Sequence, residues 1–266
     1  MNSGDNHHPR NIGIVQSNPD QSAAAQRLSS ALGLPVITQD AADAYELILV
    51  VDAGPLQLQD PSGKLGSFTI DFANSAAKYR RAQASLRSEI LARAVLPRGQ
   101  TGPIQVIDAT AGWGRDAIVM AQLGCHVTLI EKSPIVSAML DDAVERARQN
   151  PDLSVLANRL RTVPSDSERW ITELSDAERP DVIYIDPMYP SVDKRSLPRK
   201  DMQYLRMLSA PNEHDASQLL QIARAKATKR TVVKRPLKAP ILSGGIPSSQ
   251  LKGRQIRFDI YVTPNS

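Results

Sequence analysis

The chain has 266 residues, 41% hydrophobic and 23% charged, with a formal net charge of +4. That is ample apolar material for one large core, or one core with a smaller appendage, and it excludes a disordered or low-complexity chain. A single cysteine excludes an intramolecular disulfide, four scattered histidines offer no zinc cluster, and no apolar run is long enough to span a bilayer, so neither metal nor membrane is expected.

The N-terminus, MNSGDNHHPR, has neither a signal-peptide core nor an amphipathic transit pattern, and a cytoplasmic location is expected. Residues 1–11 read as a polar tail without fixed structure. Residues 1–96 read as a small α+β unit, with short strands at Ile12–Val15, Leu34–Thr38, Glu46–Asp52 and Ser67–Phe72 and a helix over Gln21–Leu32. A longer helix, Ala76–Val95, ends before Pro97 and carries Lys78, Arg80, Arg81, Arg87 and Arg93. The stretch 97–103, with Gly99 and Gly102, then links into a second domain, 97–266.

From Ile104 to Gly124 the chain reads as a buried strand, a tight glycine turn and a helix. Ile104, Val106 and Ile107 are short-range and β-branched, whereas Ala117, Ile118, Met120, Ala121 and Leu123 recur at helical spacing. Gly112 and Gly114 are expected to let the backbone approach a ligand, with the first amides of the helix pointing into the same crevice. Gly112, Gly114 and Ala117 also satisfy the dinucleotide fingerprint G-x-G-x-x-G/A, so the loop alone does not choose between a nicotinamide enzyme and another nucleoside-cofactor enzyme. Asp108, at the strand end, is suited to accept from an ammonium group, directly or through water. The next apolar run, His126–Ile130, closes on Glu131, whose carboxylate can take both hydroxyls of a ribose. Cys125, just before that strand, reads as a packed core thiol rather than a nucleophile.

Beyond Glu131, helix and strand alternate: helix Pro134–Gln149, strand Leu160–Val163, helix Ser167–Leu174, strand Asp181–Ile185. Such alternation predicts a parallel sheet with helices on both faces. Asp166 follows the third strand, either to receive an adenine amino group or to cap the next helix, and the cap is the stronger reading. A fifth strand, Thr231–Lys234, precedes a closing hairpin over Gln250–Val262 that turns at Lys252 and Gly253, with Phe258, Ile260 and Val262 facing inward. A sheet ending in a hairpin suits a methyltransferase better than a dehydrogenase.

Directly after the strand VIYI come Asp186, Pro187, Met188, Tyr189 and Pro190. An exocyclic amine on a base shares its lone pair with the ring and is a poor nucleophile. The Asp186 carboxylate and the Pro187 carbonyl can accept its N–H hydrogens and localise that lone pair, while Tyr189 offers a flat face for an unstacked base. Two basic clusters favour a nucleic-acid partner: Lys78, Arg80 and Arg81, and the acid-free run Lys226, Lys229, Arg230, Lys234, Arg235 and Lys238. The second is expected to emerge near the carboxyl edge of the sheet, where Lys229 and Arg230 would meet phosphates. Lys252, Arg254 and Arg257 follow soon after.

The strings IDATAGWGRDA, IEKSP, YIDPMYP, VVKRP and RFDIY resemble the bacterial small-subunit ribosomal RNA guanine-N2 methyltransferase family RsmJ, over roughly Ile104 to Val262 and more faintly before it. Lys132 stands where that family usually has Arg, and AQASLR where it is usually glycine-rich. The resemblance implies a class I S-adenosylmethionine-dependent methyltransferase fold: Rossmann-like, mainly parallel, with a C-terminal antiparallel hairpin and a small N-terminal α+β unit. It implies cofactor contacts at Arg115, Asp116, Glu131, Lys132, Asp166, Ser167 and Asp186, and transfer of a methyl group to the N2 amine of a guanosine in 16S ribosomal RNA, free or in the small ribosomal subunit. The alternatives are an N-methyltransferase acting on another base or on a protein amide, an NAD(P)-dependent reductase, and an RNA-binding module without catalysis.

Overall fold

The computed structural model describes residues 11–73, 90–188, 199–209 and 213–264, with backbone alone for 213–215. In chain order the elements are β1 (Ile12–Gln16), α1 (Ser22–Leu32), β2 (Val36–Ile37), β3 (Leu47–Val51), β4 (Gln57–Gln59), β5 (Ser67–Phe68) and α2 (Ile90–Val95). The second half contributes β6 (Gln105–Asp108), α3 (Arg115–Gln122), β7 (His126–Glu131), α4 (Pro134–Gln149), α5 (Ser154–Ala157), β8 (Leu160–Pro164), α6 (Ser167–Thr172) and β9 (Val182–Ile185). It closes with α7 (Lys200–Leu208), α8 (Glu213–Lys226), β10 (Arg230–Pro236), β11 (Ser249–Lys252) and β12 (Ile256–Val262).

The larger sheet has seven strands in the order β11-β12-β10-β9-β6-β7-β8. The run from β8 to β10 is parallel, and β12 and β11 add antiparallel at the edge. Strands β6 and β9 lie side by side although they are far apart in sequence, so the chain switches direction between them. In an open α/β sheet a ligand crevice opens at such a point, outside the carboxyl ends of the strands. Asp108 ends β6, and Asp186 follows β9 immediately. The crevice is therefore flanked by an acid on each side before any ligand is considered.

Each element forms for a local reason. Pro134 opens α4 at a position whose N–H has no intrahelical partner. Asp166 caps α6, its Oδ1 accepting from Arg169 N at 3.1 Å. Strands β6 and β9 are buried on both faces by helices, which is why Val106, Ile107 and Val182–Ile185 are continuously apolar or aromatic.

The smaller sheet, β2-β1-β3-β4-β5, is parallel over β2, β1 and β3 and antiparallel beyond. One hydrophobic core runs from it into the larger sheet, joining Leu47, Leu58, Ile70 and Phe72 to Trp113, Leu129 and Leu140. Polar links reinforce the contact: Leu56 N donates to Asp142 Oδ2 at 3.2 Å and Arg146 Nη2 to Ile70 O at 2.6 Å.

Several expectations need correction. The strand expected over Ser67–Phe72 pairs only at Ser67–Phe68, because the chain then leaves the sheet to place Ile70 and Phe72 in the shared core. Val262 was expected to face inward with Phe258 and Ile260 but is 50% exposed, at the end of β12 where the sheet stops. The opposite face of β12 is also buried, by Tyr261 and by the Arg257–Asp259 ion pair. Of the helix expected over Ala76–Val95, only Ile90–Val95 lies within the described residues, and it is helical. The tail 1–10, Lys78, Arg80, Arg81 and Tyr189 lie outside the described residues. Among the described residues no helix is long and apolar enough to cross a membrane.

Candidate active site

The loop between β6 and α3 is fixed from both sides. Ala109 N donates to Tyr184 O at 2.9 Å and Ala111 N to Ile130 O at 3.1 Å, tying the loop to the strands that flank β6. Glu131, at the end of β7, accepts Gly112 N on Oε2 at 2.9 Å and Ser133 N on Oε1 at 2.8 Å. Burial raises its pKa above the usual carboxylate range, and those two N–H groups oppose the shift. The carboxylate stays aligned along the cavity wall, each oxygen keeping acceptor capacity for a ribose hydroxyl.

Gly112 and Gly114 both have positive φ, +49° and +68°. A Cβ on Gly112 would come 3.3 Å from Leu205 of α7, which roofs the crevice. Gly114 needs reassignment. It does not line the cavity, and a Cβ there would meet Leu140 at 2.8 Å and Phe72 at 3.1 Å. Close packing of the core on the loop, rather than approach of a ligand, requires glycine at 114.

The cavity at the switch point measures about 740 Å³, room for a nucleoside cofactor and part of a second substrate. Asp108, Gly112, Arg115 and Asp116 line it from the β6 side, Glu131 and Lys132 from β7, and Asp166 and Ser167 from the start of α6. Ser167 Oγ donates to Ala109 O at 2.6 Å, locking that helix start to the loop. Asp186 and Pro187 complete the ring from the end of β9.

At the centre stands a group that the sequence did not bring together. Lys234 Nζ, on β10, donates to Asp116 Oδ2 at 2.7 Å and to Asp186 Oδ2 at 2.8 Å. Tyr184 OH donates to the same Asp116 oxygen at 2.6 Å, and Thr110 Oγ1 accepts Asp186 N at 2.7 Å. Burial works against the charge on Lys234, but the two carboxylates outweigh it and hold its pKa above the usual value. Burial pushes Asp186 up, Lys234 pulls it back, and Asp116 adds to the rise. Asp108, 2% exposed, is pushed up to about 8 by burial and by the Asp116 charge. Asp186 is thus paired directly with a cation, whereas Asp108 is held up mainly by burial, and a cation arriving beside it would favour its charged form.

The basic run on β10 requires the largest correction. A segment leading into a parallel strand lies at its amino edge, not its carboxyl edge. Lys229 is held there by Asp181 Oδ1 at 2.9 Å and Gln100 Oε1 at 2.8 Å, and Arg230 by Ala94 O at 3.1 Å. Neither lines the cavity. Lys234 belongs to the acidic cluster, and Arg235 is 1% exposed with Nη2 bonded to Pro240 O at 2.6 Å.

Helix α7 escaped sequence reasoning altogether. Its Met202 and Leu205 line the cavity, its Asp201 pairs with Arg115, and Trp113 Nε1 donates to Asp201 O at 3.0 Å. No local signal marks Asp201 as a partner of Arg115, because the contact is long-range. Lys234 was legible in principle: it sits late in an apolar run, VVKRP, where a parallel strand approaches its ligand edge.

The family model for SAM-dependent methyltransferases matches residues 28–263. The chain is 43% identical over 252 residues to the ribosomal RNA small subunit methyltransferase J of Thioalkalivibrio sulfidiphilus, covering 95% of this chain and 98% of the relative. It is 44% identical over 263 residues to the protein of the same name in Alkalilimnicola ehrlichii, covering 96% of each. Among solved structures, a SAM-dependent methyltransferase from Neisseria gonorrhoeae superposes with a TM-score of 0.72 at 30% identity, covering 96% of this chain and 97% of that one.

Proposed function

The chain belongs to the ribosomal RNA small subunit methyltransferase J family of S-adenosylmethionine-dependent methyltransferases, and from that premise we propose that it methylates the exocyclic N2 amine of a guanosine in 16S ribosomal RNA. The observation that carries this reading is the placement of Asp186. Its carboxylate follows β9 at the rim of the cavity lined by Glu131, with Oδ2 held by Lys234.

The residues fit the cofactor. Glu131 suits the ribose diol, Asp166 and Ser167 an adenine edge, and Arg115 with Asp108 the carboxylate and ammonium of an amino acid. S-adenosylmethionine, when bound, supplies an electrophilic methyl group. The rest falls to the chain. With Lys234 on Oδ2, Oδ1 of Asp186 is the acceptor for an N–H of the target amine, which turns the nitrogen lone pair out of conjugation. The proton that the nitrogen sheds passes to that oxygen or to water. A carboxylate can also accept the N1–H next to the N2 amine of guanine, whereas adenine offers an acceptor at N1, so the same group favours guanine. Positioning and exclusion of water by Met202 and Leu205 supply most of the acceleration. The setting is the cytoplasm, with free 16S RNA or the small ribosomal subunit as partner.

The test is transfer of labelled methyl to small-subunit RNA and to isolated subunits, with the modified nucleoside identified by mass spectrometry. Asp186→Ala is expected to lower turnover by two orders of magnitude or more, roughly 3 kcal/mol of transition-state stabilisation, while RNA binding persists. Near-normal turnover in Asp186→Ala, or titration showing that NAD binds in place of S-adenosylhomocysteine, rejects the reading.

A further inference from the structure

The antiparallel edge of the large sheet brings two cation-bearing segments together at the cavity mouth. Strand β10 ends at Pro236 and β12 begins at Ile256, which are paired with each other and both line the cavity. Beyond the pair, Leu237 N donates to Gln255 O at 2.9 Å, extending the contact past the end of the sheet. Lys238 lies one residue beyond Leu237 and Arg254 one residue before Gln255. Lys252 ends β11 across the tight turn that Gly253 N closes on Ile256 O at 2.8 Å. All three cations are exposed.

This ledge is rigid because a buried guanidinium holds it. Arg257, 4% exposed, donates from Nη1 to Pro236 O, Leu237 O and Ala239 O at 3.1, 2.9 and 2.7 Å, and from Nη2 to Pro240 O at 3.3 Å. Asp259 neutralises it through Nε at 2.8 Å and Nη2 at 3.1 Å. A carboxylate so engaged does not screen cations on the surface. No Asp or Glu occurs between Arg235 and Arg257, so the chain segments that form the ledge contribute positive charge alone.

We propose that Lys238, Lys252 and Arg254 form a preorganised clamp for the RNA phosphates that flank the target nucleotide. The proposal rests on the reading that a base of ribosomal RNA enters the cavity. A nucleotide that turns its base past Pro236 and Ile256 leaves its sugar and neighbouring phosphates at the mouth, beside these three side chains. Held by Arg257, the ledge loses little further freedom when the backbone arrives. The cations at the other end of β10 cannot serve, because Lys229 and Arg230 sit at the amino edge and are already bonded.

The variant Lys238→Gln/Lys252→Gln/Arg254→Gln tests the clamp against Arg98→Gln, an exposed cation in the segment entering β6 from the amino edge. RNA affinity is measured with transcribed 16S RNA across a salt series, and S-adenosylhomocysteine affinity by calorimetry. The triple variant is expected to lose at least tenfold in RNA affinity at low salt and to flatten the log–log salt slope by about 2, from about 0.7 for each phosphate contact. Cofactor affinity is expected to stay at the wild-type value, and Arg98→Gln to behave as wild type. Wild-type affinity and slope in the triple variant overturn the clamp, as does a slope change in Arg98→Gln of about 0.7, one third of that in the triple variant, which would make the effect one of total charge. If the wild type transfers no methyl to free RNA or to subunits, the substrate reading itself falls. The first two outcomes leave methyl transfer by the wild type intact, so the two failures are distinguishable.

Discussion

Glu131 holds the loop with the same carboxylate that we propose for the ribose. Its two oxygens hold Gly112 N and Ser133 N while the group lines the cavity, so Glu131→Ala removes the proposed ribose contacts and also orphans two amides. The loss of S-adenosylhomocysteine affinity is expected to be at least about 1.5 to 3 kcal/mol, the range for hydrogen bonds to a charged group. Unchanged affinity by calorimetry in a folded variant would remove Glu131 from the site. Lys234 acts on Asp186 in a different way. Burial raises the folded pKa of Asp186 and the Lys234 charge lowers it, so in Lys234→Met the carboxylate must ionise without its cation. A raised pKa means protonation persists to higher pH, and the acid limb of kcat/KM is expected to move up by about one pH unit or more. An unmoved limb with merely reduced turnover would show that Lys234 only supports the fold. The residue types at this site were legible in the sequence because Asp108, Glu131 and Asp186 each close an apolar run. The grouping of Asp108 and Asp186 around Lys234 was not, since β6, β9 and β10 become neighbours only through the crossovers of the sheet.

Among the elements, the glycine loop shows how tertiary packing sets a local requirement. Gly114→Ala places a methyl 2.8 Å from Leu140 and 3.1 Å from Phe72 at a positive φ, and both neighbours are buried. Overpacking and backbone strain together are expected to cost about 2 to 4 kcal/mol. Gly33→Ala is the control: it has φ +67° with nothing within 4 Å, and its cost is expected to be only about 1 to 2 kcal/mol. Denaturant melts of the two variants separate packing from conformation; equal losses would mean that the core yields freely around the added methyl. The fingerprint spacing correctly located a tight turn before a helix, yet it could not say which glycine faces the cavity and which the core. Helices α4 and α6 were legible from caps and periodicity. Strand β4 and helix α7 were not, the one too short for a pattern and the other defined by the cavity and the N-terminal sheet it covers.

At the scale of the molecule, the two sheets share one core and their contact reaches the cofactor loop. Phe68 packs on Trp113 with ring centroids 4.6 Å apart, Tyr204 OH donates to Gly66 O, and Phe72 lies against the Gly114 turn. We place the boundary between the units at 96/97, and the fragment 97–266 is expected to be poorly soluble or to bind S-adenosylhomocysteine at least tenfold more weakly than the whole chain. A stable fragment with full affinity would show that the N-terminal unit does not support the loop. The dependence also has a direction in time. Residues up to 73 leave the ribosome first, with Phe68 and Phe72 made for a surface that includes Trp113, Leu129 and Leu140. At ordinary rates of synthesis the interval before those partners follow is on the order of several seconds. During that interval the apolar face of the nascent N-terminal sheet lacks those partners, so the chain's exposure to misassociation is greatest before the loop between β6 and α3 has been translated.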